Sequence, residues 1–218
     1  MISDELIQKS FYIPYALLMT TGAITFIEAM RTNDDSIRHI MNIETCISII
    51  AAYFYSTFLD MIKNNNLDYE KINLVRYTDW SITTPFMILS LTLFLTYNSG
   101  KNKGINFKHF LLFIVFNYLM LLIGYLGDIG KIDKKISIFF GFIFFILLFY
   151  FIYAYYIKDK NNKANNIIYA IFLFIWFLYG IVANLEPRLK NVCYNILDVS
   201  AKCFVGLGMW AYFTGIFV

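Results

Sequence analysis

The sequence predicts an all-α membrane protein, a bundle of seven transmembrane helices joined by short loops. Hydrophobic residues make up 59% of the 218 residues and charged residues only 15%, and the mean hydropathy is +0.60. This composition is typical of a polytopic membrane protein rather than of a soluble domain. Because one helical span needs about 20 residues, seven spans with short loops account for nearly the whole chain.

Seven apolar stretches alternate with short polar clusters that are typical of turns. No internal repeat or low-complexity segment is evident in the sequence, so we expect residues 1–218 to form a single domain. The first residues lack the basic segment of a signal peptide, and we expect the first span to act as the insertion signal. We predict spans over residues 8–30, 36–62, 70–97, 105–129, 132–158, 163–187 and 189–216.

Charge and cysteine content argue against several classes of function. The formal net charge of +3 is too small to suggest a nucleic-acid partner. Cys46, Cys193 and Cys203 form no paired motif, so we expect neither a metal site nor a disulfide, and we expect no enzymatic activity. The lysines and arginines near the span ends divide equally between the two sides of the membrane, so the positive-inside rule assigns no orientation.

The last span contains a lysine in its middle. Lys202 has mostly apolar residues on both sides, so its amine cannot easily reach water by snorkelling. Asp198 precedes it by four residues and would lie on the same helical face, about 6 Å away. The two residues form either a buried ion pair or a site where the amine condenses with an aldehyde to give a Schiff base. A nearby carboxylate would stabilise the positive charge of that linkage.

The third span carries a second polar motif, Arg76-Tyr-Thr-Asp-Trp-Ser-Ile-Thr-Thr-Pro85. Together with Leu197-Asp-Val-Ser-Ala-Lys202, it resembles the microbial (type 1) rhodopsins, which are seven-helix retinal proteins. Both matches are long and lie at the expected places in the chain. The resemblance implies that all-trans retinal is the cofactor and that it forms a protonated Schiff base with Lys202.

The same resemblance implies roles for the residues around the lysine. Asp79 would be the main counter-ion and the first proton acceptor, with Asp198 as the second counter-ion. Arg76, Thr83 and Tyr55 would complete the counter-ion network, with Thr83 bonded to Asp79.

A mostly aromatic set of side chains matches the family's retinal pocket. Taken singly, a Trp or Met in a membrane helix is more often a packing residue, but the surrounding motifs favour a pocket with Trp80 and Trp176 as opposite walls. The fifth span is so uniformly aromatic that its register is ambiguous, and Asn117 is a further candidate. The predicted pocket comprises Tyr77, Trp80, Thr84, Met87, Met120, Phe140, Phe144, Trp176 and Tyr179.

Two positions depart from the pattern of an efficient outward proton pump in this family. Ser90 stands eleven residues after Asp79, where such pumps usually have a carboxylate. The connection between the sixth and seventh spans reads Glu186-Pro-Arg-Leu-Lys190. It has one acidic and two basic residues, where such pumps have an acidic pair. Both ends of the proton route are therefore weakened relative to the family pattern.

Polar residues appear elsewhere in the spans instead. Glu44 lies eleven residues before Tyr55 in the second span, which places it level with Ser90 when the spans run antiparallel. Asn195 adds a polar position one turn before Asp198. For Glu28, near the end of the first span, an interfacial acid is the favoured interpretation.

A polar file of Glu44, Ser90, Asn195 and the two counter-ions would conduct cations once hydrated, because acid-lined pores select cations. In so short a chain this pattern resembles the group 1 viral rhodopsins, which are light-gated cation channels. We therefore predict a retinal-binding photoreceptor that acts as a light-gated cation channel. A light-driven outward proton pump, with Glu44 as donor through Ser90, and a sensory rhodopsin with a separate transducer are the alternatives.

The resemblance also implies an outside N-terminus and a cytoplasmic C-terminus. The lipid bilayer would be the main partner, and cations or protons would be transported. A homo-oligomer is a further possible state.

Overall fold

The computed structural model describes residues 4–63, 68–100, 104–158 and 162–216. Within these ranges the chain forms seven helices long and apolar enough to cross a membrane, and no strands. The predicted all-α, multi-pass membrane fold is confirmed. Parts of three predicted turns, at 64–67, 101–103 and 159–161, lie outside the described residues. The helices are α1 (Asp4–Arg31), α2 (Asp35–Lys63), α3 (Tyr69–Tyr97), α4 (Phe107–Asp128), α5 (Lys134–Tyr156), α6 (Lys163–Val182) and α7 (Pro187–Thr214).

Side-chain caps explain where several helices begin. Asp68, Asn106, Asp133 and Asn162 each accept a hydrogen bond from a backbone N–H of the first turn of α3, α4, α5 or α6. Such caps satisfy donors that have no partner inside the helix. They place the polar clusters of the sequence at the ends of the spans.

The predicted boundary between the last two spans is corrected. The sixth span was expected to continue to residue 187, but α6 ends at Val182 and Pro187 begins α7. Proline suits the first turn of a helix because its missing N–H would have no partner there. The turn between α6 and α7 is therefore formed by residues that had been assigned to a helix.

Two irregularities lie in the helices that carry the site. Pro85 inside α3 cannot bond the carbonyl of Ser81, and the hydroxyl of Tyr118 on α4 donates to that oxygen at 3.0 Å. In α7, Val199–Phe204 forms a π-helical turn, a widened turn that is frequent at functional sites. Lys202 lies within it.

The chain direction defines two ends of the bundle. We call the end where α1 begins the N-side and the end where α7 finishes the C-side. Helices α3 and α7 run from the N-side to the C-side, and α2 runs in the opposite direction. Positions on these helices can therefore be compared by depth.

Candidate functional site

The site is centred on a buried amine between two carboxylates. Lys202 is 1% exposed, and its Nζ donates to Oδ2 of Asp79 on α3 at 2.7 Å. Oδ1 of Asp198, on the same helix as the lysine, lies 3.4 Å from Nζ. The i,i+4 spacing and the motif on α3 thus bring together the three groups that the sequence singled out, with Asp79 the nearer carboxylate.

On the N-side of the amine lies a dense polar network around Arg76, which is fully buried. Its Nη1 donates to Oδ2 of Asp198 at 3.1 Å and to the hydroxyl of Tyr55 at 3.2 Å. Its Nη2 donates to the side-chain oxygens of Asn195 and Asn191. Two cations and two carboxylates are buried together here, and their charges balance, which limits the cost of removing them from water.

Aromatic rings and hydroxyls complete this network. The Cζ atom of Arg76 lies 4.9 Å from the ring centroid of Phe58 and 5.4 Å from that of Phe11, within the range of a cation–π contact. Tyr55 and Tyr179 donate to Asp198 at 2.8 and 2.7 Å.

Asp79 has fewer donors than Asp198. The hydroxyl of Thr83 donates to the backbone oxygen of Asp79 at 2.9 Å and to Oδ1 at 3.3 Å. The other donor to its carboxylate is Lys202. The two carboxylates therefore differ in how firmly their charge is held, although they share one cation.

A largely apolar cavity extends from Lys202 between the helices. Its empty volume is about 890 Å³, which includes an open mouth. Trp80 and Trp176 both line it, and Asp198 and Lys202 lie at its polar end. The other residues of the predicted pocket that line it are Tyr77, Thr84, Met87, Met120 and Tyr179.

Two predicted pocket residues on α5, Phe140 and Phe144, do not line this cavity. Phe140 is 45% exposed, and Phe144 stacks against Phe116 on α4 with ring centroids 6.4 Å apart. Phe142 and Phe145 line the cavity instead. Successive helical residues point about 100° apart, so a small error of register in an all-aromatic helix exchanges wall and surface residues.

The wall near α3 and α4 is held by side-chain hydrogen bonds. Thr84 donates to the backbone oxygen of Trp80 at 2.6 Å and accepts from Nδ2 of Asn117 at 2.8 Å. Asn117 therefore supports a lining residue and does not itself line the cavity. An elongated apolar molecule with an aldehyde at one end suits these walls and the amine.

The C-side of the amine has a single buried acid in place of the charged network of the N-side. Glu44 is 1% exposed, and the hydroxyl of Ser90 donates to its Oε1. The predicted alignment of the two residues on antiparallel helices is confirmed. Ser90 also contacts Sδ of Met209 on α7 at 3.5 Å. The centre of the C-side half is packed with buried apolar residues, namely Met87, Ile88, Leu91, Phe94, Leu95, Val205 and Met209.

Asn195 belongs to the N-side network. Its Oδ1 accepts from Arg76 and Tyr55, and its Nδ2 donates to Ser10 at 2.9 Å. Sequence reasoning missed Asn191, which binds the guanidinium as well. Its spacing of four residues from Asn195 was the available signal.

A second group missed from the sequence lies at the N-side rim of the cavity. Asp128 accepts from the hydroxyl of Tyr77 at 2.8 Å and forms ion pairs with Lys134 and Lys190. Tyr77 and Lys190 are far from Asp128 in the chain, so no local pattern indicates the whole cluster. It ties together the N-side ends of α3, α4, α5 and α7.

Comparisons with known proteins agree with this architecture. A family model described as bacteriorhodopsin-like protein matches residues 6–216. The chain is 23% identical to bacteriorhodopsin of Halobacterium salinarum, with 88% of this chain and 78% of the relative covered.

Solved structures give the same result. The viral rhodopsin OLPVRII superposes with a TM-score of 0.93 at 47% identity, covering 98% of this chain and 100% of the other. A blue light-absorbing proteorhodopsin from Med12 superposes with a TM-score of 0.78 at 20% identity, covering 95% and 96%. The chain belongs to the bacteriorhodopsin-like protein family.

Proposed function

We propose that this protein binds all-trans retinal on Lys202 and uses light to move protons from the C-side to the N-side. One arrangement carries the proposal: a buried amine has a carboxylate 2.7 Å away on its N-side and a buried acid, Glu44, on its C-side beside Gly206, which lies one helical turn after Lys202. Membership of the family and the fit of the cavity support retinal as the chromophore. With the N-terminus outside, as the family resemblance implies, transport is outward.

When bound, retinal supplies a light-driven isomerisation that disturbs the bonds made by the Lys202 nitrogen. Asp79 is the acceptor for the proton of that nitrogen, because its Oδ2 already receives a hydrogen bond from it. Asp198 is held as a carboxylate by Arg76, Tyr55 and Tyr179. Hydrogen bonds to a charged form favour that form, so Asp198 stays ionised while Asp79 takes the proton.

Glu44 is the donor that returns a proton to the nitrogen. Among the residues that the structure describes, no cation forms an ion pair with its carboxyl group, which the hydroxyl of Ser90 contacts. An isolated carboxylate in apolar surroundings is costly, so the neutral acid is favoured and carries a proton. Ser90 holds the carboxyl group in place while it carries the proton.

A light-gated cation channel, the first prediction from the sequence, is the second candidate. Its support is the set of buried acids on both sides of the amine, the pattern that resembles the group 1 viral rhodopsins. The resting structure favours the pump because the guanidinium of Arg76 fills the N-side part of the file. A permeating cation would have to pass this buried positive charge.

The experiment is voltage clamp of the retinal-loaded protein under illumination. For a pump, the current keeps one sign at every voltage, and a current that reverses sign identifies a channel instead. Glu44→Gln should slow recovery of the protonated Lys202 nitrogen by about a hundredfold or more, and added azide, a small diffusible acid, should restore it. Asp60→Asn, an exposed acid on the same helix, is the control and should recover at the normal rate.

A further inference from the structure

The interface between α1 and α2 carries a buried polar stripe in the C-side half of the bundle. We define this α1–α2 stripe as Thr21, Thr25 and Glu28 on α1 with Glu44, Thr45 and Ser48 on α2. Every member is less than 10% exposed. On α1 the members are four and three residues apart, so they share one helical face. The neighbours Ile27 and Met30 are exposed and point away from that face.

A hydrogen bond joins the two helices within the stripe. The hydroxyls of Thr25 and Thr45 lie 2.9 Å apart, and either one can be the donor. The hydroxyl that does not donate across the interface can donate to its own helix, Thr45 to the backbone oxygen of Met41 or Thr25 to that of Thr21 or Gly22. Each hydroxyl can both accept and donate, which is the property a proton relay requires.

One hydroxyl of the stripe has no partner among the described residues. This is Oγ of Ser48, which is 0% exposed as a residue, whereas the hydroxyl of Thr21 meets the thiol of Cys203. A buried hydroxyl without a partner costs free energy, and such an atom is where a buried water molecule is commonly held. Ser48 follows Glu44 by one turn on the amine side of the acid, and Thr21 lies near Glu44 across Gly206.

The stripe reaches the C-side surface at Glu28. Its side chain is 9% exposed and forms a 2.8 Å ion pair with Arg31, whose side chain is 69% exposed. Arg38 of α2 donates to the backbone oxygen of Thr32 at 2.9 Å beside this end. Glu28 therefore stands where the stripe meets water.

We propose that the α1–α2 stripe is the route by which a proton from the C-side aqueous phase reaches Glu44, with Glu28 as the acid that takes it up. This inference rests on the proposed function, in which Glu44 gives its proton to the Lys202 nitrogen. A water-borne proton binds a carboxylate oxygen of Glu28. The hydroxyls of Thr25 and Thr45, with any water beside them, each accept a proton and pass on their own, and the last one protonates the emptied carboxylate of Glu44. Glu28 returns to the carboxylate paired with Arg31, and no atom other than the proton is transferred.

The alternative path through the centre of the bundle is less suitable. It is occupied by Leu91, Phe94 and Leu95 of α3 and Met209 of α7, all at most 3% exposed. These side chains offer no oxygen that could hold a water chain. Thr92 and Asn165 are also buried in this half, but their side chains donate to backbone oxygens of α3.

The first test needs no light. Glu44 is followed in D₂O as the carboxyl C=O infrared band that disappears in Glu44→Gln, and its rate of hydrogen–deuterium exchange is measured in the dark. Glu28→Gln should slow that exchange by about tenfold or more, and Thr25→Val should slow it as well. An exchange rate equal to that of the unmodified protein in both variants would overturn the proposal.

Matched variants separate proton transfer from structural damage. Thr20→Val removes an exposed hydroxyl from the same helix, and Asp35→Asn removes an exposed C-side acid; neither should alter the exchange. Arg31→Gln breaks the ion pair but keeps the acid. A slowing by Arg31→Gln equal to that by Glu28→Gln would assign the effect to the ion pair and overturn the role of Glu28.

The second test uses the retinal-loaded protein after a flash. Recovery of the protonated Lys202 nitrogen should slow in Glu28→Gln under repeated turnover, because Glu44 is not reloaded, whereas the first turnover should be normal. If Glu44→Gln leaves recovery unchanged, the pump proposal fails while the dark exchange still decides on the stripe. If Glu44→Gln slows recovery and Glu28→Gln does not slow repeated turnover, the uptake route fails alone.

Discussion

The two halves of the bundle on either side of Lys202 handle polarity in opposite ways. On the N-side, Arg76 and Asp198 are fully buried, and the donors of Tyr55 and Tyr179 converge on the same carboxylate. On the C-side, Glu44 has one side-chain donor, Ser90, and no cation forms an ion pair with it among the described residues. In the proposed pump, the N-side is therefore organised in advance to receive a proton, whereas Glu44 on the C-side holds the proton that is returned.

The difference between the two halves suggests how the proposed pump sets the direction of proton transfer. A proton leaving the amine finds a carboxylate at hydrogen-bond distance on one side only. A charge on the N-side is balanced by a fixed network, which costs no rearrangement when it changes. On the C-side, no hydrogen bond or ion pair among the described residues joins the amine to Glu44, so in the proposed pump transfer there waits for a conformational change.

The largest effect expected is that of Lys202→Ala. This variant removes the amine that would form the Schiff base between the two halves. Added retinal should therefore give no visible absorption band. Absorption spectra taken after adding all-trans retinal to the apoprotein measure this. Lys190→Ala is the control: Lys190 is 6% exposed and paired with Asp128 at 3.3 Å, and its loss should leave the band in place. A visible band that persists in Lys202→Ala would contradict the assignment of the site.

Arg76→Gln should give the next largest effect and tests the rigidity of the N-side half. It leaves the buried Asp198 without its 3.1 Å guanidinium partner, and breaking a buried pair in this way costs about 3–5 kcal/mol. The midpoint of unfolding in detergent measures the loss. Arg31→Gln breaks an ion pair whose arginine is 69% exposed, and it should cost about 0–1 kcal/mol. Equal losses in the two variants would mean that the N-side network is no stronger than a surface pair.

The sequence predicted the charged centre better than the walls around it. Asp79, Asp198 and Lys202 are found together because each sits in a long motif on a helix whose geometry fixes relative depth. Glu44 and Ser90 were aligned for the same reason. Ionisable residues in a membrane span are rare, so each of them carries much information about position.

The remaining features depend on tertiary packing. The sequence does not distinguish Phe140 from Phe142 because nearly every residue of α5 is apolar, and such a helix has no hydrophobic face to fix its rotation. The π-helical turn at Val199–Phe204 follows from no local propensity. Lys190 joins Asp128 and Lys134 only after α7 has packed against α4 and α5. No single segment of the sequence therefore predicts this cluster.

The smallest effect is expected for Gly206→Ala, which probes the C-side half without removing a polar group. A Cβ atom at Gly206 would lie 3.0 Å from Oε2 of Glu44, so the carboxyl group must move. It is the end of a flexible side chain, and a shift of a few tenths of an ångström should keep the change in unfolding free energy within about 1 kcal/mol.

The functional readout should be more sensitive than stability. The displaced carboxyl group changes its bond with Ser90, so the infrared C=O band of Glu44 should shift and recovery of the protonated Lys202 nitrogen should slow by about two- to tenfold. Gly208→Ala is the matched control two residues away, because a Cβ atom there meets nothing within 4 Å. If the band and the recovery rate are the same in both variants, Glu44 is not held in place by the close approach of α7. In that case, the C-side acid would be free to shift its position, whereas the N-side carboxylate is fixed by its network.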